Sequence, residues 1–219
     1  MKAWESNIRK VEPYVPGEQP KVQDVIKLNT NENPYGPSEN VRKAMEAIDI
    51  DRCRLYPDPD VTKLVKSIAD YYGMDNNQVF VGVGSDDVLS MCFLTFFNGK
   101  KPVLFPDITY SFYSVWADLY RIPYEKQKLD DNMKIVPEDY YKENGGVIFP
   151  NPNAPTGLLM DLDSVRDIIE HNKDVVVIVD EAYIDFGGVS AKDLVNEYDN
   201  VLVCLLYTSP SPRDISGYR

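Results

Sequence analysis

Two hydrophobic spacings take turns along this chain. Unbroken apolar runs occur at Val103-Leu104-Phe105, Val147-Ile148-Phe149, Val175-Val176-Val177-Ile178-Val179 and Val201-Leu202-Val203-Cys204. A run without polar alternation fits a strand buried on both faces, as in a parallel sheet. Between the runs, apolar residues recur every three or four positions, the spacing of a helix with one buried face. Val61, Leu64, Val65, Ile68 and Tyr72 form one such set, stopped by Gly73. Val88, Leu89, Met91, Cys92, Leu94 and Phe96 form a second, and Val115, Trp116 and Leu119 a third. Residues 164–171 read as a further helix, 137–144 and 192–198 as short ones, and 122–129 as a polar-apolar edge strand. Residues 78–83 read as a strand that passes through a glycine turn at Gly82-Val83-Gly84 into a helix start. Strands thus alternate with helices from 79 to 204 in βαβ order. That order predicts an α/β fold: a three-layer, doubly wound, mainly parallel sheet.

In such sheets ligands bind beyond the carboxyl ends of the strands. Polar clusters follow Val83, Pro106, Pro150 and Val179, all at those ends, so one crevice can collect them. The sharpest is Asp180-Glu181-Ala182-Tyr183, directly after the longest β-branched run. A carboxylate buried there needs a partner. Three readings compete. Asp180 and Glu181 can be solvated caps of a strand. They can hold magnesium in a nucleotide-hydrolysis site, which requires G-x-x-x-x-G-K-[ST]; Gly99-Lys100 is followed by Lys101, so that loop is missing. Or Asp180 pairs with the cationic ring nitrogen of a cofactor.

Composition narrows the partners. A net charge of −12 opposes binding to nucleic acid or an anionic membrane, though not to a small anionic substrate met by a local cationic pocket. No apolar run is long enough to span a bilayer, and the amino terminus lacks the core of a signal peptide. Cys53, Cys92 and Cys204 are scattered, which argues against a zinc site or a disulfide framework and suits a reducing cytoplasm. The single His171 reads as an exposed helix end rather than a catalytic group.

Other polar stretches carry weaker signals. Residues 1–27 are polar, contain Pro13, Pro16 and Pro20, and read as an extended arm. Asn31-Glu32-Asn33, before Pro34 and a helix start at Ser38, is more polar than a turn requires, which suggests a substrate-contacting loop. Gly84-Ser85-Asp86 stands where the first N–H groups of a helix can hold a phosphate, but Ser-Asp is equally a good helix cap. The spacing is not a dinucleotide fingerprint, since Asp87 stands where G-x-G-x-x-G needs glycine. Tyr110 lies where a ring can stack on a flat cofactor or simply fill the core.

Taken in order, Asn29-x-Asn31-Glu32-Asn33-Pro34-x-Gly36-Pro37-Ser38, Tyr56-Pro57-Asp58, Gly82-x-Gly84-Ser85-Asp86, Pro106-x-x-x-Tyr110, Pro152-Asn153-Ala154-Pro155-Thr156-Gly157 and Asp180-Glu181-Ala182-Tyr183 match a known pattern. The set resembles the pyridoxal-phosphate aminotransferases of fold type I, and most closely their histidinol-phosphate branch, over residues 28–204. The resemblance implies a homodimer with pyridoxal 5'-phosphate as cofactor, and an amino acid phosphate and a 2-oxo acid as substrates. The implied reaction converts histidinol phosphate and 2-oxoglutarate to imidazole acetol phosphate and glutamate. It implies that Asp180 pairs with the pyridine nitrogen, Tyr183 bonds the phenolic oxygen, and Tyr110 stacks on the ring. Gly84, Ser85 and Asp86 would hold the phosphate, and Tyr56 would reach the phosphate of a neighbouring subunit. Asn31, Glu32 and Asn33 would line the substrate pocket.

Two departures stand out. The family's cofactor-contacting Asn directly precedes Pro-Thr-Gly; here Ala154 holds that place and Asn153 comes one residue earlier. The family also continues from the last strand into Ser-Lys, whose lysine forms the Schiff base. Here Leu205-Leu206-Tyr207-Thr208-Ser209-Pro210 follows, and no lysine occurs after Lys192. The sequence therefore divides into an arm and substrate loop (1–37), a partial large domain (38–204) and a tail foreign to the pattern (205–219), without the small domain. By this reading the parent enzyme is a transaminase, and the chain as it stands is inactive. The alternatives are another fold type I aminotransferase or decarboxylase for aromatic or phosphorylated amino acids, or a non-catalytic relative.

Overall fold

Residues 35–207, with positions 5, 6, 8, 9, 11, 12, 26 and 29, are described by a computed structural model of the chain. Its centre is a five-stranded sheet. The strands are β1 (Val103–Pro106), β2 (Tyr124–Gln127), β3 (Gly146–Pro150), β4 (Val177–Asp180) and β5 (Val201–Cys204). Their order is β2-β1-β3-β4-β5, and all four pairings are parallel. The predicted parallel α/β sheet is thus present, with β2 as the expected edge strand.

The strands explain why their sequences do not alternate. Val103, Phe105, Ile148 and Ile178 face one layer, with α3 (Ser85–Phe96) and α4 (Phe112–Tyr120). Leu104, Val147, Phe149, Val177 and Val179 face the other, with α5 (Leu162–Glu170) and the 3-10 turns at Pro137–Tyr140 and Ala191–Asn196. Consecutive side chains are apolar because both faces are covered. Leu89, Phe93, Tyr113 and Trp116 dominate the first layer, and Val165, Ile168 and Ile169 the second.

Two helices precede this body. In α1 (Glu39–Glu46), behind Ser38, no residue is buried, and Val41 and Met45 face solvent. In α2 (Thr62–Tyr72), Asp58 caps the start: its carboxylate accepts from the N–H groups of Asp60 at 3.1 Å and Thr62 at 2.8 Å. Gly73 ends α2 in the left-handed region, as its position predicts.

Three expectations are corrected. Residues 79–82 join no ladder among the described residues, although their apolar pattern reads as a strand; they lead directly into α3. Phe80 and Val83 there stay exposed. A strand is defined by its neighbour's N–H and C=O groups, which a local pattern does not reveal. The helices expected at 137–144 and 192–198 are shorter 3-10 turns. The arm at 1–27 and the tail at 205–219 lie largely outside the described residues.

Candidate functional site

The carboxyl ends of β1, β3 and β4 and the amino end of α3 meet around one buried acid. Asp180 closes β4 and is only 4% exposed. The hydroxyl of Tyr113, in the first turn of α4, donates to its Oδ2 at 2.7 Å, and the Ala182 N–H donates to Oδ1 at 3.2 Å. Its backbone is pinned on both sides: Asn151 N–H donates to the Asp180 carbonyl, and Glu181 N–H donates to the Cys204 carbonyl, each at 2.8 Å. Burial lifts the Asp180 carboxyl to about 6; the two hydrogen bonds oppose that rise, and the nearby charge of Asp86 adds to it. Burial, then Asp180 itself, pushes the Tyr113 hydroxyl and the Cys204 thiol upward. Among the described residues no Lys, Arg or His forms an ion pair with Asp180.

Glu181 is buried too, but for the loop that follows. Ser190 Oγ donates to its Oε2 at 2.5 Å and the Ala191 N–H to its Oε1 at 2.6 Å. Burial raises its carboxyl, against those two bonds. It holds the start of the turn at Ala191–Asn196, whose cap is Ser190, so the two adjacent acids have separate duties.

Gly84, Ser85 and Asp86 form the entry to α3. Gly84 has φ 87°, a conformation that suits glycine, and the helical ladder begins with Val88 N–H donating to the Gly84 carbonyl. The N–H groups of 85–87 therefore precede the ladder at the positive end of the helix. Asp87 Oδ2 accepts from Val83 N–H at 3.1 Å. Tyr110 reaches the same place: its hydroxyl donates to Asp86 Oδ1 at 2.7 Å, and its ring lies 5.7 Å from that of Tyr113. Asp86, Tyr110, Tyr113 and Asp180 thus form one contiguous cluster. Two acids there make the site electronegative and favour a ligand that brings a cation.

Asn153 sits beside this cluster and joins the loops around it. Its Oδ1 accepts from Thr109 Oγ1 at 3.0 Å, and its Nδ2 donates to the Ile108 carbonyl at 3.1 Å and to Thr156 Oγ1 at 3.2 Å. Both ends of the amide tie the loop after β3 to the loop that carries Tyr110. Tyr183, three residues beyond Asp180, packs 6.1 Å from Phe186. Tyr56 is 101% exposed and touches none of these groups. Asn31, Glu32 and Asn33 lie outside the described residues. Tyr113 was not among the sequence candidates; Tyr110-x-x-Tyr113 at a helix start is the signal that points to it, hidden among 15 tyrosines. A concavity lined by Asp163, Arg166 and Glu170 belongs to the α5 layer and contains no member of the cluster. No group of potential metal ligands occurs among the described residues.

A doubly wound parallel sheet with an uncompensated acid at a strand end and a helix amino terminus beside it defines an α/β protein built to hold a small ligand at its carboxyl edge. The family described as aminotransferase class I and II matches residues 23–208, and the chain belongs to that family. The chain is 52% identical over 218 residues to a histidinol-phosphate aminotransferase of Clostridium beijerinckii, covering 100% of this chain and 60% of that protein. A histidinol-phosphate aminotransferase of Lactococcus lactis subsp. cremoris is 48% identical over 217 residues, again with 60% of its length covered. The chain therefore spans about 60% of the length of these relatives. Among solved structures, the histidinol-phosphate aminotransferase from Clostridium acetobutylicum superposes with a TM-score of 0.75 at 23% identity, over 84% of this chain and 56% of that one. That from Sinorhizobium meliloti, in complex with pyridoxal-5'-phosphate, superposes at 0.74 with 18% identity, over 81% and 50%. Both share the fold.

Proposed function

We propose that the chain forms the cofactor-binding part of an aminotransferase that uses pyridoxal 5'-phosphate to move an amino group from histidinol phosphate to 2-oxoglutarate. One observation carries the cofactor reading: Asp180 is buried at the carboxyl edge with no cationic partner among the described residues. A protonated pyridine nitrogen supplies the missing charge. The residues fit the rest of such a group. The amino end of α3 at Gly84, Ser85 and Asp86 suits a phosphate, although Asp86 must be kept aside, as its bond from Tyr110 does. Tyr110 offers a ring face and Tyr183 a hydroxyl beyond β4. Asn153 supports the Tyr110 loop rather than the ligand.

The cofactor, when bound, supplies an electron sink for charge developing at the substrate α-carbon. This chain's residues bind and orient. Asp180 keeps the ring nitrogen protonated, α3 anchors the phosphate, and the 107–112 loop shields one face from water. Asn31, Glu32 and Asn33 contribute to the substrate pocket. Tyr56, exposed on its loop, serves a neighbouring subunit's phosphate in a homodimer. Asp86 and the overall negative charge leave recognition of the substrate phosphate to cations outside this cluster. We place the reaction in the cytoplasm, since the three scattered, unpaired cysteines suit a reducing compartment.

Proton transfer at the α-carbon needs a positioned base, and no lysine follows Lys192 in the sequence. The 219-residue chain is therefore expected to show no turnover of histidinol phosphate with 2-oxoglutarate. Residues 1–204 joined to the carboxyl-terminal part of the Clostridium beijerinckii relative are expected to form glutamate. A joined protein that folds, binds the cofactor and makes no glutamate from histidinol phosphate refutes the substrate assignment; sustained turnover by the 219-residue chain refutes the need for the lysine.

A further inference from the structure

Tyr113 has no exposed surface, and a buried hydroxyl without a partner is costly. Phenylalanine would fill the same space: the ring already packs against Phe93 at 6.3 Å, Phe105 at 5.8 Å and Trp116 at 6.2 Å. What the hydroxyl adds is one bond, to Asp180 Oδ2 at 2.7 Å. It comes from a helix fixed on the sheet by its own apolar face, so the donor cannot swing away. The other carboxylate oxygen, Oδ1, receives only the longer 3.2 Å contact from Ala182 N–H. A charge-assisted bond is shorter than that, about 2.7–2.9 Å, so Oδ1 is the less strongly engaged oxygen and the better acceptor for a cation.

We infer that Tyr113 is a positioning residue: by holding Oδ2 it fixes the plane of the Asp180 carboxylate and presents Oδ1 to the cationic nitrogen of the ligand. The inference rests on the cofactor reading and adds to it a residue outside the ligand's own contacts. The bond also favours the ionised form of Asp180, which must be charged to hold a proton on its partner. The other titratable groups around Asp180 and Tyr113 are Asp86 of α3, Cys204 of β5, Glu181 and Tyr110, and Tyr113→Phe leaves their side chains in place.

The test uses residues 1–204 joined to the carboxyl-terminal part of the Clostridium beijerinckii relative, with Tyr113→Phe, Asp180→Asn and the double substitution. Carboxyl ¹³C NMR of the ligand-free joined protein, with the Asp180 signal assigned by its loss in Asp180→Asn, gives the Asp180 titration midpoint. Tyr113→Phe is expected to move it up by about one pH unit, because a donor to the charged form is gone. Calorimetric titration with pyridoxal 5'-phosphate is expected to show binding weakened about three- to tenfold by Tyr113→Phe, the net worth of one ordinary hydrogen bond, because the loss acts on the ligand only through Asp180. In the Asp180→Asn background the same change is expected to add nothing, since Tyr113 acts through that carboxylate. Saturable binding with an unmoved midpoint, or with losses that simply add, overturns the positioning role alone. No saturable binding by the folded, unsubstituted joined protein sinks the cofactor reading and this inference together.

Discussion

At the scale of the residue, Asp180 sets function against stability. Its carboxyl rests at about 6 in the fold, above the ordinary value of 3.8, because burial penalises its charge. A raised pKa means that the folded chain binds this proton more tightly than the unfolded chain. The stability linked to it is fully present below about pH 4 and is lost as pH rises through about 6. Asp180→Asn mimics the protonated form without titrating and can keep the Tyr113 bond. The ligand-free variant is therefore expected to match the parent near pH 4 and to exceed it by about 1–3 kcal/mol at pH 7, a ceiling set by the size of the shift. Urea unfolding at a series of pH values reads this difference. A variant less stable than its parent at pH 7 would mean that some cation already satisfies Asp180. Stabilisation by removing a site charge is the usual exchange at functional positions.

At the scale of the element, the sheet was readable because burial on both faces writes itself into composition. The runs at Val103, Val147, Val177 and Val201 each form a strand, and the spacing over 85–96 and 162–170 forms a helix. Residues 79–82 carry the same kind of pattern, yet no neighbour among the described residues gives them a ladder. Tyr113 escaped notice because its chemistry depends on a residue 67 positions away. Asn153 was visible as a polar residue in a proline-rich loop, but its three bonds to the loop backbone and two threonines depend on how those loops fold together. One feature of an element is testable at its own level. Gly146 opens β3 at φ 143°, and a Cβ there would lie 2.3 Å from Cε1 of Phe97, just past the end of α3. Gly146→Ala is expected to cost roughly 2–4 kcal/mol from backbone strain and forced displacement of a buried ring. Gly99→Ala, with nothing within 4 Å of the added carbon, serves as its control and should change stability by less than about 0.5 kcal/mol. Equal losses in chemical denaturation would show that the Phe97 contact plays no part.

At the scale of the whole molecule, the described surface is unevenly apolar. Met45, Ile48, Ile50, Leu55, Phe80, Val83 and Leu94 are each at least half exposed within the first hundred residues, and Phe186, Val189 and Tyr207 are so further on. At the edge of the sheet, β5 offers an apolar strand with no further ladder partner among the described residues. Exposed apolar groups and an unpaired edge both favour association. The 219-residue chain is therefore expected to bind a hydrophobic dye and to elute from size-exclusion chromatography as concentration-dependent oligomers. The chain joined to a relative's carboxyl-terminal part is expected to do so less. A monodisperse 219-residue species with a cooperative melt and no dye binding would contradict this.

The pinning of Asp180 between Asn151 and Cys204 has a consequence for how the protein would respond to a ligand in time. Those two amides, Asn151 and Glu181, lie one residue beyond the carboxyl ends of β3 and β4, and each is bonded to the neighbouring strand, so freeing either requires the strands to part at that edge. Their exchange with deuterated solvent then reports opening of the carboxyl edge of the sheet. A ligand that bonds Asp180 must leave before the sheet opens, so it retards these amides by its full binding free energy, as it does the slowest amides of the core. The edge amides of β2, remote from Asp180, can fray with the ligand still in place and would scarcely slow. The pattern of protection would thus locate the bound ligand on the sheet without any view of the ligand itself.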